Sequence, residues 1–268
     1  MSEWSEGSIE TNGVTLHYYR TGGEKPPLVL SHGITDNGLC WTRAALVLQE
    51  QYDVIMVDAR GHGQSDKPAS EYSSAIHATD LAGLIQALEL DAPRVMGHSM
   101  GAGTATALAA TYPELVSRVV LEDPPWRADA DFVADRAAGM QEWKNRIAQE
   151  QNLSQDEVAA LGREQSPTWD EIEFGPWSLA KKQVSLNVFT YRLDSTASWR
   201  DALSQIACPT LLVTGDPEQG GIVTAETASE AAALSNHIQV ANIPGVGHNI
   251  RRENFDRFIR IVQDFLQH

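Results

Sequence analysis

The chain predicts an α/β protein: a mostly parallel sheet flanked by helices, with a helical segment inserted between two late strands. Two observations carry that expectation. Short β-rich apolar runs alternate along the chain with longer helical patterns, the rhythm of parallel strands joined by crossover helices. Between about 126 and 200 the rhythm stops, and the sequence turns helical and aromatic-rich.

VTLHYYR (14–20) reads as an edge strand before the turn TGGEKPP. LVLSHG (28–33) reads as a buried strand running into a loop, and DVIMVDARG (53–61) as the next. Residues 75–89 have helical periodicity, with Ile76, Leu81, Leu84, Ile85 and Leu88 on one side. RVMGHS (94–99) is a strand and the Ala-rich stretch 100–111 a helix. SRVVLED (117–123), TLLVTGD (210–216) and HIQVANIP (237–244) are strands, the last two separated by a helix. A final helix covers 253–266. The expected organisation is a core domain made of 1–125 and 201–268, with 126–200 as a helical cap subdomain. No repeat or low-complexity tract interrupts it.

The 268 residues suit one large α/β domain with an insertion. A formal net charge of -16 repels phosphate backbones and anionic lipid, so neither nucleic acid nor a membrane surface is an expected partner. The opening MSEWSEGSIE lacks the basic and apolar regions of a secretion signal, and no apolar run is long enough to span a bilayer. The two cysteines, Cys40 and Cys208, make no disulfide framework and no metal-type spacing. A cytoplasmic location, a small-molecule substrate and no metal or organic cofactor are expected. Oligomeric state is left open.

VMGHSMGAG (95–103) carries the chemistry. A nucleophile lifted at a strand-to-helix turn needs a tight backbone, and Gly97 and Gly101, two positions either side of Ser99, let neighbouring chain pass closely. The serine then sits at a helix N-terminus, where free N–H groups favour a developing oxyanion. A hydroxyl needs a base to take its proton. Of eight histidines, His248 in IPGVGHNI lies in a Gly-rich loop after the last strand, on the same sheet edge as Ser99. His98 adjoins the serine but points apart, and reads as pocket wall or packing. His17 lies on an edge strand, and His77, His237 and His268 read as surface residues.

SHGITDN (31–37), DARGHGQSD (58–66), GHSMG (97–101), LLVTGD (211–216) and PGVGHN (244–249), in that order, resemble the α/β-hydrolase fold family over nearly the whole chain. The resemblance implies an oxyanion hole made by the backbone amides of Ile34 and Met100. It makes His32 a loop-shaping residue, and makes Asp58, Arg60, Gly61 and Gly63 a turn motif. The triad acid has three candidates. Most family members place it after the strand matching LLVTGD, where Glu218 stands, but Gly220 and Gly221 disturb the spacing that follows. Asp216 is nearer that strand's end, where a side chain can instead cap the loop. Some branches carry the acid one strand earlier, where Asp123 ends VVLED, 24 residues after Ser99. The DPP run there, with GHSMG and the DxRGxGxS run, resembles the N-formylmaleamate deformylase-like branch and favours Asp123. Glu122 points to the opposite side of its strand.

Trp126 follows Asp123-Pro124-Pro125 and is the best pocket candidate among the aromatic residues, together with His98. Arg127, Lys181, Lys182 and Arg192 are candidates to grip a substrate carboxylate. The expected function is a serine hydrolase cleaving an ester, lactone or amide-like bond through an acyl-enzyme with Ser99, His248 and Asp123. Cofactor-free haloperoxidase or perhydrolase chemistry and carbon–carbon bond hydrolysis use the same residues. A ligand sensor of the same fold is the alternative from another class.

Overall fold

The computed structural model describes residues 4–126, 130–191 and 199–267. The strands are β1 (Ser5–Thr11), β2 (Val14–Arg20), β3 (Pro27–Ser31), β4 (Asp53–Val57), β5 (Arg94–His98), β6 (Arg118–Glu122), β7 (Thr210–Thr214) and β8 (Ile238–Asn242). The helices are α1 (Thr42–Leu48), α2 (Ser74–Ala87), α3 (Met100–Thr111), α4 (Ala130–Glu150), α5 (Gln155–Gln165), α6 (Glu171–Gln183), α7 (Trp199–Gln205), α8 (Ala225–Leu234), α9 (Ile250–Glu253) and α10 (Phe255–Gln267). All eight strands form one sheet in the order β1-β2-β4-β3-β5-β6-β7-β8. Pairing is parallel from β4 to β8, and antiparallel where β1 meets β2 and β2 meets β4.

The central strands are apolar on both faces because both faces are covered. Val29, Ile55, Val95, Leu121 and Leu212 pack with α2, α3 and α7. Leu28, Leu30, Val54, Met56, Met96, Val120 and Leu211 pack on the other side with Trp41, Leu48, Phe258 and Val262 of the α1 and α10 layer. Helix α10 turns Phe258, Ile259, Val262, Phe265 and Leu266 inward at helical spacing.

Two expectations are corrected. The strand over 14–20 is not at the edge: β1 pairs with it residue by residue from Ser5↔Arg20 to Thr11↔Val14. The polar run SEGSIET hid β1, but the Asn12-Gly13 turn was a readable hairpin signal, and both residues take positive φ (46° and 74°) as a two-residue hairpin turn requires. His77 is not a surface residue, with 3% exposure, and His17 on the paired strand β2 is buried as well. His17 lies under β1, its Nδ1 3.3 Å from Asp58. His77 lies edge-on to Tyr72 and Tyr191.

Between β6 and β7 the described residues form α4, α5, α6 and a 3-10 turn over Leu186–Thr190 before α7, with no strand among them. Thr35, Trp143, Ile147 and Lys181 show that α4 and α6 close over the loop after β3.

The β5–α3 turn depends on two glycines. A Cβ on Gly97 would lie 2.2 Å from the carbonyl oxygen of Gly101, and one on Gly101 would lie 2.1 Å from that of Ser31. Both obstacles are backbone, so the start of α3 sits against β3 only without side chains there. Gly101→Ala is expected to lower the unfolding free energy by about 1–3 kcal/mol or more, the usual cost of forced overpacking, measured by urea denaturation. Wild-type stability in that variant would contradict the close approach.

Candidate active site

Ser99 follows the last residue of β5 and precedes α3, with φ 52° and ψ -114°. That left-handed backbone is costly for a residue with a side chain and is held by its surroundings: Ser99 N–H donates to Glu122 O at 2.9 Å and Gly103 N–H to Ser99 O at 3.0 Å. Asp123, just past β6, is the second strained position here, with φ 41°.

The Asp123 carboxylate is fully buried and accepts three sets of bonds. His248 Nδ1 stands 2.6 Å from Oδ2. The amide of Ile222 donates to both oxygens at 3.1 and 2.8 Å, and that of Val223 to Oδ1 at 3.0 Å. With Nδ1 donating, the neutral imidazole leaves Nε2 as its acceptor. The GDPEQGGIV loop therefore supplies backbone donors to the carboxylate. Gly220, at φ 97°, ends the short 3-10 turn Pro217–Gln219 before those two amides. Glu218 is exposed on that turn, and the Asp216 carboxylate accepts from the amide of Gly245 at 2.6 Å, a loop cap.

Ser99, His248, His98, Gly33 and Ile34 line one cavity of about 200 Å³. Met100 is buried beside Ile34 at the start of α3. His32 does shape its loop: its Nε2 accepts from Ala59 N–H and its Nδ1 donates to Gly33 O. Asp58 ties the following turn by accepting from Gly38 and Gln64 amides. Trp126 is displaced from its expected place. It stacks on Trp199 at 5.2 Å within the core and does not line this cavity. The aromatic wall instead comes from Trp143, Trp169 and Trp177. Those three side chains were visible in the sequence, but their direction depends on how α4 and α6 lie, which sequence periodicity does not give.

The floor of the cavity is a buried ion network that the sequence did not announce. Asp36 lies 3.7 Å from Lys181, 3.4 Å from Arg251 and 3.2 Å from Arg252. Arg251 also meets Glu122 at 2.9 Å, and Arg252 meets Glu173 at 3.2 Å. Burial would raise the Asp36 carboxyl, but Arg252, Lys181 and Arg251 outweigh it and hold it well below the usual range. Lys181 and Glu173 belong to α6, so the network fastens that helix to the loops after β3 and β8. Of the candidate carboxylate-binding residues, Lys181 lines the cavity but donates to both oxygens of Thr35. Lys182 holds the carbonyls of Gln151 and Leu153, away from it. Arg127 and Arg192 lie outside the described residues. Arg146 was missed; it lines the cavity with a 60% exposed side chain, 3.8 Å from Glu150. Glu150 is buried, and that burial raises its carboxyl. Among the described residues no group of His, Cys, Asp and Glu is placed to hold a metal ion, and no helix is long and apolar enough to cross a membrane.

A family profile described as the alpha/beta hydrolase fold matches residues 26–254, and the chain belongs to that family and is an enzyme of it. It is 28% identical to the N-formylmaleamate deformylase of Pseudomonas putida over 98% of this chain and 96% of that protein. It is 28% identical to the 2-(acetamidomethylene)succinate hydrolase of Mesorhizobium japonicum over 96% of this chain and 94% of that one. The crystal structure of an E-2-(acetamidomethylene)succinate hydrolase superposes with a TM-score of 0.84 at 23% identity, covering 99% of this chain and 100% of the other. A small-molecule substrate follows from this membership.

Burial holds His32, His77 and His98 below the ordinary imidazole range and pushes His62 to about 4. In the unfolded chain these rings take protons near pH ~6.5, so below that value unfolding binds more protons and stability falls with pH. Asp80, Glu122 and Glu150, raised by burial, act in the opposite sense just above the ordinary carboxylate range. Unfolding free energy from urea denaturation is therefore expected to decline between about pH 6.5 and about pH 5. His77 has no partner for either ring nitrogen. His77→Phe should flatten that decline, and an unchanged slope would show that His77 titrates normally in the folded protein.

Proposed function

We propose that the protein is a serine hydrolase in which Ser99, His248 and Asp123 cleave an ester, lactone or amide-like bond of a small substrate. The observation that carries this reading is the 2.6 Å contact of His248 with the buried Asp123, in a loop facing the same cavity as the strained Ser99. Ser99 Oγ attacks the acyl carbon while His248 Nε2 takes the hydroxyl proton. The protonated ring, stabilised by Asp123, then passes that proton to the leaving group as its bond to carbon breaks. Water gives a proton to the same nitrogen and attacks the acyl-enzyme, which releases the acid and restores the serine. The amides of Ile34 and Met100 are assigned to the oxyanion.

The described residues between 126 and 200 act as a cap over the site, as the placement of α4 and α6 supports. A cavity near 200 Å³ is below the usual range for drug-sized ligands and suits a compact acyl compound. The substrate proposed is an amide-like compound carrying a carboxylate, with Arg146 as the cationic side chain that receives it. The names of the deformylase and succinate hydrolase relatives support that class.

The test is turnover of p-nitrophenyl acetate and of N-acyl enamides with and without a carboxylate. Ser99→Ala is expected to abolish turnover. Asp123→Asn should cost ~10³–10⁴ in kcat, as a wrong imidazole tautomer does in other triads. Glu218→Gln should stay near wild type. Strong loss in Glu218→Gln with little in Asp123→Asn would reverse the acid assignment. Tight small-molecule binding without turnover of any member of the panel would overturn the proposed substrate class.

A further inference from the structure

The two residues that precede Ser99 and Asp123 hold the loop of His248. His98 and Glu122 are register partners across β5 and β6. His98 Nε2 lies 3.0 Å from the carbonyl oxygen of His248, and since a carbonyl only accepts, the ring nitrogen donates. Glu122 Oε1 accepts from the backbone amide of Arg251 at 2.8 Å, and Oε2 accepts from its Nη1 at 2.9 Å. The turn from His248 to Arg251 is thus pinned at both ends, by side chains adjacent in sequence to the other two members of the site. Arg251 is itself held, with its guanidinium 4.2 Å from the centre of the Trp41 ring.

We infer that His98 and Glu122 are positioning residues that set His248 against Ser99 and Asp123, which rests on the reading of those three given above. Asp123 holds the imidazole at one nitrogen only. A ring fixed at one atom can still swing, and the backbone braces remove that freedom. A bland structural role accounts poorly for these two side chains. His98 and Glu122 are 3% and 0% exposed, and His98 Nδ1 has no partner. An apolar pair would fill the same space without an orphaned acceptor or a buried ion pair, both of which cost stability. The carboxylate gives each Arg251 donor, the backbone N–H and the guanidinium, an oxygen of its own and balances the guanidinium charge.

The experiment combines steady-state turnover of p-nitrophenyl acetate with proton NMR of the low-field resonance of His248 Nδ1–H against Asp123. His98→Phe and Glu122→Gln are expected to lower kcat about 10- to 100-fold, the scale on which small misplacements cost rate, with KM little changed and the resonance weakened or moved. His98→Gln keeps an N–H donor and should regain most of the rate lost in His98→Phe. Glu122→Gln/Arg251→Met also removes the cation that the single change leaves with Asp36 as its one ion-pair partner. It should unfold no earlier in urea than Glu122→Gln yet remain slow. Wild-type kcat and resonance in His98→Phe and Glu122→Gln overturn the proposal, as does full recovery of rate in the double variant, or His98→Gln as slow as His98→Phe. If the wild type does not turn over the ester, the resonance decides alone. An unchanged signal in both variants then overturns the positioning role separately from the hydrolytic reading.

Discussion

A parallel sheet buried on both faces leaves only strand ends for chemistry, and the site is organised by that constraint. Beyond their first residues, strands β3 to β7 carry buried side chains on both faces, so their middles and C-terminal halves offer no polar group to solvent. The loops leaving β3, β5, β6 and β8 share one edge, and they bring Ile34, Ser99, Asp123 and His248 together from sequence positions up to 214 residues apart. The strained backbones at Ser99 and Asp123 sit at consecutive strand ends, where the ladder bonds of β5, β6 and β7 hold them.

Much of this was legible because the relevant signals are local. Glycine spacing around Ser99 announces a close backbone approach, and the structure shows that approach as carbonyl oxygens where two Cβ atoms would stand. Alternating strand and helix patterns announce the sheet, and the Gly-rich loop after β8 is the place in the sequence where His248 stands. What was illegible depends on distant parts meeting. Trp126 was assigned to the pocket from its neighbours in sequence, but Trp199, 73 residues on, offers it a stacking face in the core. His77 reads as a surface residue from sequence, although its helix turns it toward Tyr72 and Tyr191.

The ion network was illegible for the same reason. Asp36, Glu122, Glu173, Lys181, Arg251 and Arg252 are ordinary charged residues in an acidic chain until the fold brings three carboxylates and three cations together. Such a cluster is weak evidence of stability, because desolvating each charge costs several kcal/mol. Its value lies in direction. A buried charge has few places where its partners satisfy it, so α6 and the loops after β3 and β8 are held in one arrangement. An apolar contact of equal area would allow them to slide.

The proposed place of the acid, Asp123, fits these constraints. An acid at Glu218 would stand on an exposed turn, with water competing for its oxygens and no fixed donors. At Asp123 the carboxylate is dry, and two amides from the β7 loop hold it so that one oxygen faces His248. On that proposal the loop after β7 supports the acid through its backbone amides. The glycines that disturb its spacing let it double back. Residues 220 and 221 thus bear on chemistry one strand away: a turn that ends at Gly220 presents the next backbone N–H groups to a carboxylate at the end of the neighbouring strand.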